Sequence, residues 1–146
     1  MTTMPLDASV LTSLLVLAGV AQFAIAAASL GAPFVLEWRS ELAQLKPLNR
    51  QIFSVYGGYI LGTNLALAGL STFAPGLLVD GSPLAAAVAG YVLAYWGARL
   101  VIQFVYYDRG SAPQGAFFDA AHWLFSLAFL YLTVVFGLVL ASNLSP

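Results

Sequence analysis

The chain has 146 residues, 61% of them hydrophobic and only 8% charged, with a formal net charge of -1. Soluble domains carry about a quarter charged residues, so this composition excludes one and points to a single integral membrane domain, 1–146. Five Lys or Arg are too few for a nucleic-acid surface, and the absence of Cys removes disulfides, thiolate chemistry and c-type haem attachment.

Four apolar runs account for most of the length. The first, 8–30, is uncharged and long enough to cross a hydrocarbon core about 30 Å thick. It lacks the basic leader of a signal peptide and is too long for one, so a retained span is expected. From 31 to 50 the chain turns polar, with Glu37, Arg39, Glu41, Lys46 and Arg50. Trp38, Leu42, Leu45 and Leu48 among those charges predict a short helix at headgroup level, after Pro33 ends the first span and before Pro47 opens the next.

The second run, 51–73, places Ser54, Gly58, Gly62 and Ala66 every four residues, and the third, 83–107, does the same with Ala86, Gly90, Ala94 and Ala98. Small stripes let helix backbones approach closely, and these two spans are expected to pack together. Asn64, deep in the second run, needs a polar partner in lipid. The connector APGLLVDGSP carries turn chemistry at Pro75-Gly76 and Asp80-Gly81, and the fourth run, 116–141, ends in a polar tail. The expected fold is all-α: an integral membrane four-helix bundle with a short interfacial helix between the first two spans.

The first loop holds Arg39, Lys46 and Arg50 and the third holds Arg109, whereas the second loop and both tails hold no Lys or Arg. Counting basic residues in short loops places both termini on the non-cytoplasmic side of a membrane of the bacterial cytoplasmic type.

Arg99 lies well inside the third span, where a cation costs about 2.5–3.5 kcal/mol at mid-bilayer on insertion scales. It could snorkel toward the cytoplasmic interface, or it could be answered from the fourth span. There Asp119, His122 and Ser126 share a face by i, i+3, i+7 spacing, as Arg99 and Gln103 do by i, i+4 on the third. An Arg99–Asp119 pair with His122 beside it is the arrangement expected from spacing. Such a cluster suits either helix registry or a small-ligand site, for example a quinone held by Arg99 or His122 between Tyr95, Trp96 and Trp123. Arg99 or Arg109 could instead hold a lipid phosphate.

One His gives no metal or two-His haem site, and Asp119 and Ser126 flank His122 on one helix without converging on it as a triad would. The cofactor is not identifiable from the residues, and catalysis is the less favoured expectation. The small stripes and the scarcity of extramembrane mass favour a structural or accessory subunit of a larger membrane assembly, whose partners are lipid and other membrane chains. A quinone- or lipid-binding redox-linked protein is the alternative, and a small oligomeric transporter or channel a further one. In outline the chain is similar to small four-span multidrug exporters, but its first span offers Gln22 where those rely on Glu.

Overall fold

A computed structural model describes residues 7–107, 110 and 113–145. Asp108 and Arg109 lie outside the described residues, and with them the third loop's share of the basic count. The described residues form helices and contain no strand. Helix α1, Ala8–Ser29, starts at Asp7, whose carboxylate accepts from the Ser9 N–H. Pro33 does not simply end this helix. It sits in the first turn of a four-residue helix α2, Ala32–Val35, where its fixed φ and missing N–H are harmless. Glu37, at φ 49° in the left-handed region, then turns the chain into α3, Trp38–Ala43. This is the short helix expected between the first two spans. Leu45 and Leu48 fall beyond it.

Pro47 opens α4, Pro47–Phe73, so that span begins four residues before the expected 51. A 3-10 turn, Pro75–Leu78, leads to α5, Pro83–Val105, whose first turn is capped by Ser82 Oγ accepting from the Ala85 N–H at 3.0 Å. Helix α6, Ala116–Leu144, closes the chain. The α1–α2 segment, α4, α5 and α6 are each long and apolar enough to cross a membrane. The fold is an all-α bundle of four such helices.

Their order in space follows from which pairs touch. The chain forms two antiparallel hairpins, α1 on α4 and α5 on α6, joined by α1 lying against α6. Helices α4 and α5 meet only lightly, so the expected packing of their two small stripes does not occur. The close approach is elsewhere. A Cβ added to Gly19 of α1 would collide with Thr72 Oγ1 and come within 2.8 Å of Thr72 N and 2.9 Å of Ala68 O. Gln22, one turn on and fully buried, donates through Nε2 to Ser71 Oγ at 3.2 Å and to its own helix at Ala18 O.

Burial is concentrated at the end of the bundle that carries the termini, where Leu11, Leu15, Val92, Trp96, Leu132 and Phe136 form the core. Toward the opposite end, which carries α2, α3 and the α5–α6 loop, the core runs out. Among the described residues, nothing in α4 before Asn64, in α5 after Trp96 or in α6 before Ser126 is buried. The bundle is closed at its terminal end and opens toward its loop end.

The terminal end is also where the chain pins its own connector. Asn143 lies inside α6, not in a loose tail, and its side chain donates to Leu78 O at 2.7 Å and accepts from Gly81 N at 3.0 Å. Both are connector backbone groups, and Gly81 supplies the positive φ of 75° that the turn needs. Asn143→Ala is expected to lower stability by about 1–2 kcal/mol, read as a lower unfolding temperature in detergent. In the same turn Ser82, through its hydroxyl and its backbone N–H, holds the Asp80 carboxyl below its ordinary value of 3.8. This contribution is present above the ordinary value and is lost as pH falls through the lowered one. Because Asp80 is exposed, it is small.

The candidate functional site

Tyr91, Tyr95, Arg99 and Gln103 recur every four residues along α5 and so share one face of the helix. Tyr95 Oη donates to Asn64 Oδ1 of α4 at 2.8 Å and accepts from Arg99 Nη1 at 3.3 Å. This satisfies the side-chain carbonyl of Asn64, a residue 1% exposed in the middle of an apolar helix. It is also the hydrogen bond that joins α4 to α5. One turn toward the loop end, Gln103 Nε2 lies 3.0 Å from His122 Nδ1 of α6. When Gln103 donates here, the neutral imidazole carries its proton on Nε2, which is buried without a hydrogen-bond partner. Phe104 meets the His122 ring edge-on at 5.6 Å.

Arg99 is set among aromatic rings. Its guanidinium carbon lies 5.9 Å from the centre of the Tyr95 ring, 5.8 Å from that of Trp96 and 5.6 Å from that of Phe129. Tyr95 and Trp96 precede Arg99 on α5, so the side chain is turned toward the helix N-terminus, the direction in which helical Cα–Cβ bonds tilt. From Arg99 to Val105 at the helix end is six residues, or ~9 Å. That is about a third of the thickness of a hydrocarbon core.

The expected Arg99–Asp119 pair does not form, for a reason of register. Leu93 packs against Gly137, Gly97 against Thr133 and Gly90 against Leu140, so Arg99 faces the stretch around Phe129. Asp119 lies about ten residues, ~15 Å, further along α6. It occupies the exposed first turn of α6, where a carboxylate suits the helix dipole. Ser126 donates to His122 O at 2.8 Å, so its hydroxyl is turned into its own helix. Of the five polar residues expected to cluster, the structure brings together Gln103 and His122, keeps Arg99 one turn above them, and leaves Asp119 and Ser126 with other partners. Asn64 and Tyr95 join the site, and the unmet need of Asn64 for a partner was the signal for both.

The two small stripes fare differently. Ser54, Gly58, Gly62 and Ala66 are all exposed, and a Cβ at Gly58 or Gly62 would meet nothing within 4 Å. On α5, Ala86 and Gly90 are half-buried, Gly90 facing Leu140, while Ala94 and Ala98 are exposed.

An apolar groove of about 430 Å³ lies between α5 and α6, lined by residues including Leu100, Phe104, Val105, Trp123 and Leu127. Ser126 is its one polar lining residue, and that hydroxyl is already committed to His122 O. Neither Arg99 nor His122 lines it, so the groove has the chemistry of an acyl-chain seat and lacks handles for quinone carbonyls. Among the described residues no group of three or more His, Cys, Asp or Glu could hold a metal ion.

Loss of the Tyr95 hydroxyl would leave Asn64 without a donor and Arg99 without an acceptor. Tyr95→Phe is expected to destabilise the chain by about 1–3 kcal/mol. Adding Asn64→Leu should recover part of that loss, because the orphaned amide is then gone; thermal unfolding of the four proteins of this cycle checks it.

The fold defines a small integral membrane protein with four apolar helices and a partly closed core. Comparison with protein-family models, with curated proteins and with solved structures finds no match.

Proposed function

We propose that this chain is a structural or accessory subunit of a larger membrane assembly, completed by helices of other chains at its loop end. The observation that carries the reading is the half-built core. In α4 before Asn64, α5 after Trp96 and α6 before Ser126 no residue is more than half-buried within the chain, while the α4 stripe there is shaped for close backbone approach. A helix facing only lipid gains nothing from a regular small stripe. A helix facing another helix gains van der Waals contact along its whole length.

The reading assigns the chain no catalytic step. It places the loop end, with Arg39, Lys46 and Arg50 exposed beside α3, at the cytoplasmic surface. For a transporter one would look for a carboxylate within a span, and the acidic residues of the described chain stand at helix ends or in connectors.

Photolabelling with an apolar diazirine dissolved in the bilayer tests this without altering the sequence. In native membranes residues 50–62 of α4 are expected to be shielded from the carbene, and in nanodiscs holding the lone chain they are expected to be modified. Equal modification in both settings would refute the reading. Gly58→Leu should leave the stability of the lone chain within about 1 kcal/mol, since nothing opposes the new side chain. In native membranes the same variant is expected to restore labelling of α4.

A further inference from the structure

We propose that Arg99 receives a carboxylate carried into the bilayer by a membrane-spanning helix of a partner protein, and that this pairing selects which helix completes the loop end. The inference rests on the assembly reading above and adds the chemistry of the partner.

The argument starts from a charge the chain does not neutralise. The three rings around Arg99 stand 5.6–5.9 Å away, near the outer limit of a useful cation–π contact. Among the described residues its only hydrogen-bond acceptor is Tyr95 Oη, and it forms no ion pair. The other guanidinium N–H groups have no acceptor among the described residues, and unmet donors are expensive in hydrocarbon. Arg99 is only part-buried. It lies between Tyr95, which is tied to α4, and the exposed Ala98 and Ile102, at the level where α4 and α5 begin to part.

Direction decides the source of the anion. A lipid phosphate sits at the interface, whereas Arg99 stands six residues, about 9 Å, inside the end of α5 and its guanidinium donates to Tyr95, one turn further from that end. A second copy of the chain is a poor donor as well. Its acidic residues are Asp7, Glu37, Glu41, Asp80, Asp108 and Asp119, and every described one is at a helix end or in a connector. On this proposal the carboxylate at the level of Arg99 comes from another protein's span, where it would itself need a cation. The planar fork of Arg accepts a carboxylate bidentately, and the rings behind it keep the pair dry.

The test places the photocrosslinker p-benzoylphenylalanine at Ala98, one residue from Arg99, in the full chain in its native membrane. The proposal expects crosslinked peptides from an apolar span of a different protein that contains Asp or Glu. It expects the yield to fall roughly tenfold or more in Arg99→Gln and to persist in Arg99→Lys. Arg99→Glu should also lose the crosslink and regain it when the partner's carboxylate is replaced by Arg, a rescue that misfolding could not produce. Crosslinks only to lipid or to a second copy, a captured span without a carboxylate, or a charge swap without rescue would each overturn the proposal. Carbene shielding of α4 separates the two levels of the account. If α4 is shielded but the crosslink ignores the charge at position 99, only the carboxylate pairing fails. If α4 is labelled as in the lone chain, the assembly reading fails with it.

Discussion

Gly19→Val is expected to prevent the α1–α4 hairpin from forming, and Gly19→Ala to destabilise the protein by about 1–3 kcal/mol, the usual range for overpacking a core. The new methyl would meet backbone atoms, Thr72 N and Ala68 O, both inside 3.0 Å, as well as the Thr72 hydroxyl. A flexible side chain could move aside, but a helix backbone can yield only by separating α1 from α4. That separation would also pull Gln22 from Ser71, exposing two polar groups to lipid. Thermal unfolding in detergent reads the alanine variant, and the yield of folded protein from membranes reads the valine one. The contrast with Gly58 is the internal control, since the same substitution there meets open space.

Trp96→Ala carries the second large effect, a loss of about 3 kcal/mol or more. In a bilayer the removed surface would otherwise face lipid, so the transfer part of the usual penalty is small, and the cavity and its lost dispersion contacts dominate. Trp96 is fully buried, stacked on Phe129 at 5.5 Å and edge-on to Tyr95 at 5.2 Å. Its removal therefore loosens α5 from α6 and takes away one wall around Arg99. Trp96→Phe should cost less than about 1.5 kcal/mol, because much of the packing survives and the indole N–H it deletes has no hydrogen-bond partner. A Phe variant as damaged as the Ala variant would mean that the indole N–H, not the packing, is what matters.

The bundle itself was legible because lipid imposes a simple rule: a spanning helix needs about twenty apolar residues, and four such runs are present. The turn chemistry at Asp80-Gly81 and the helix start at Pro47 were equally local, and each is found where the residue types put it. What spacing could not supply was the identity of the neighbour. Ser54, Gly58, Gly62 and Ala66 share a face whether or not anything packs on it, and in this chain nothing does. The close approach lies instead at Gly19, in a helix so uniformly apolar and Ala-rich that no stripe stands out.

Arg99 teaches the same lesson in the axial direction. The i, i+4 rule correctly put it on one face with Gln103, and Gln103 does meet His122. The pairing with Asp119 failed because register between α5 and α6 is set by small residues along the whole interface, Gly90, Gly97 and Gly137, and not by the few polar ones. A shift of about ten residues along α6 is invisible to a face count. Depth in a hairpin has to be read from the packing ladder. The aromatic surround was likewise hidden, since Phe129 joins Tyr95 and Trp96 only once that ladder is known.

Native mass spectrometry of the untagged chain, extracted from its own membrane in a mild detergent, tests the assembly reading most directly. The account predicts a complex in which the chain is held with at least one foreign membrane protein in fixed stoichiometry. A lone chain, or a homo-oligomer retaining a small molecule, would contradict it and move the weight to the Arg99, Gln103 and His122 group as a ligand site.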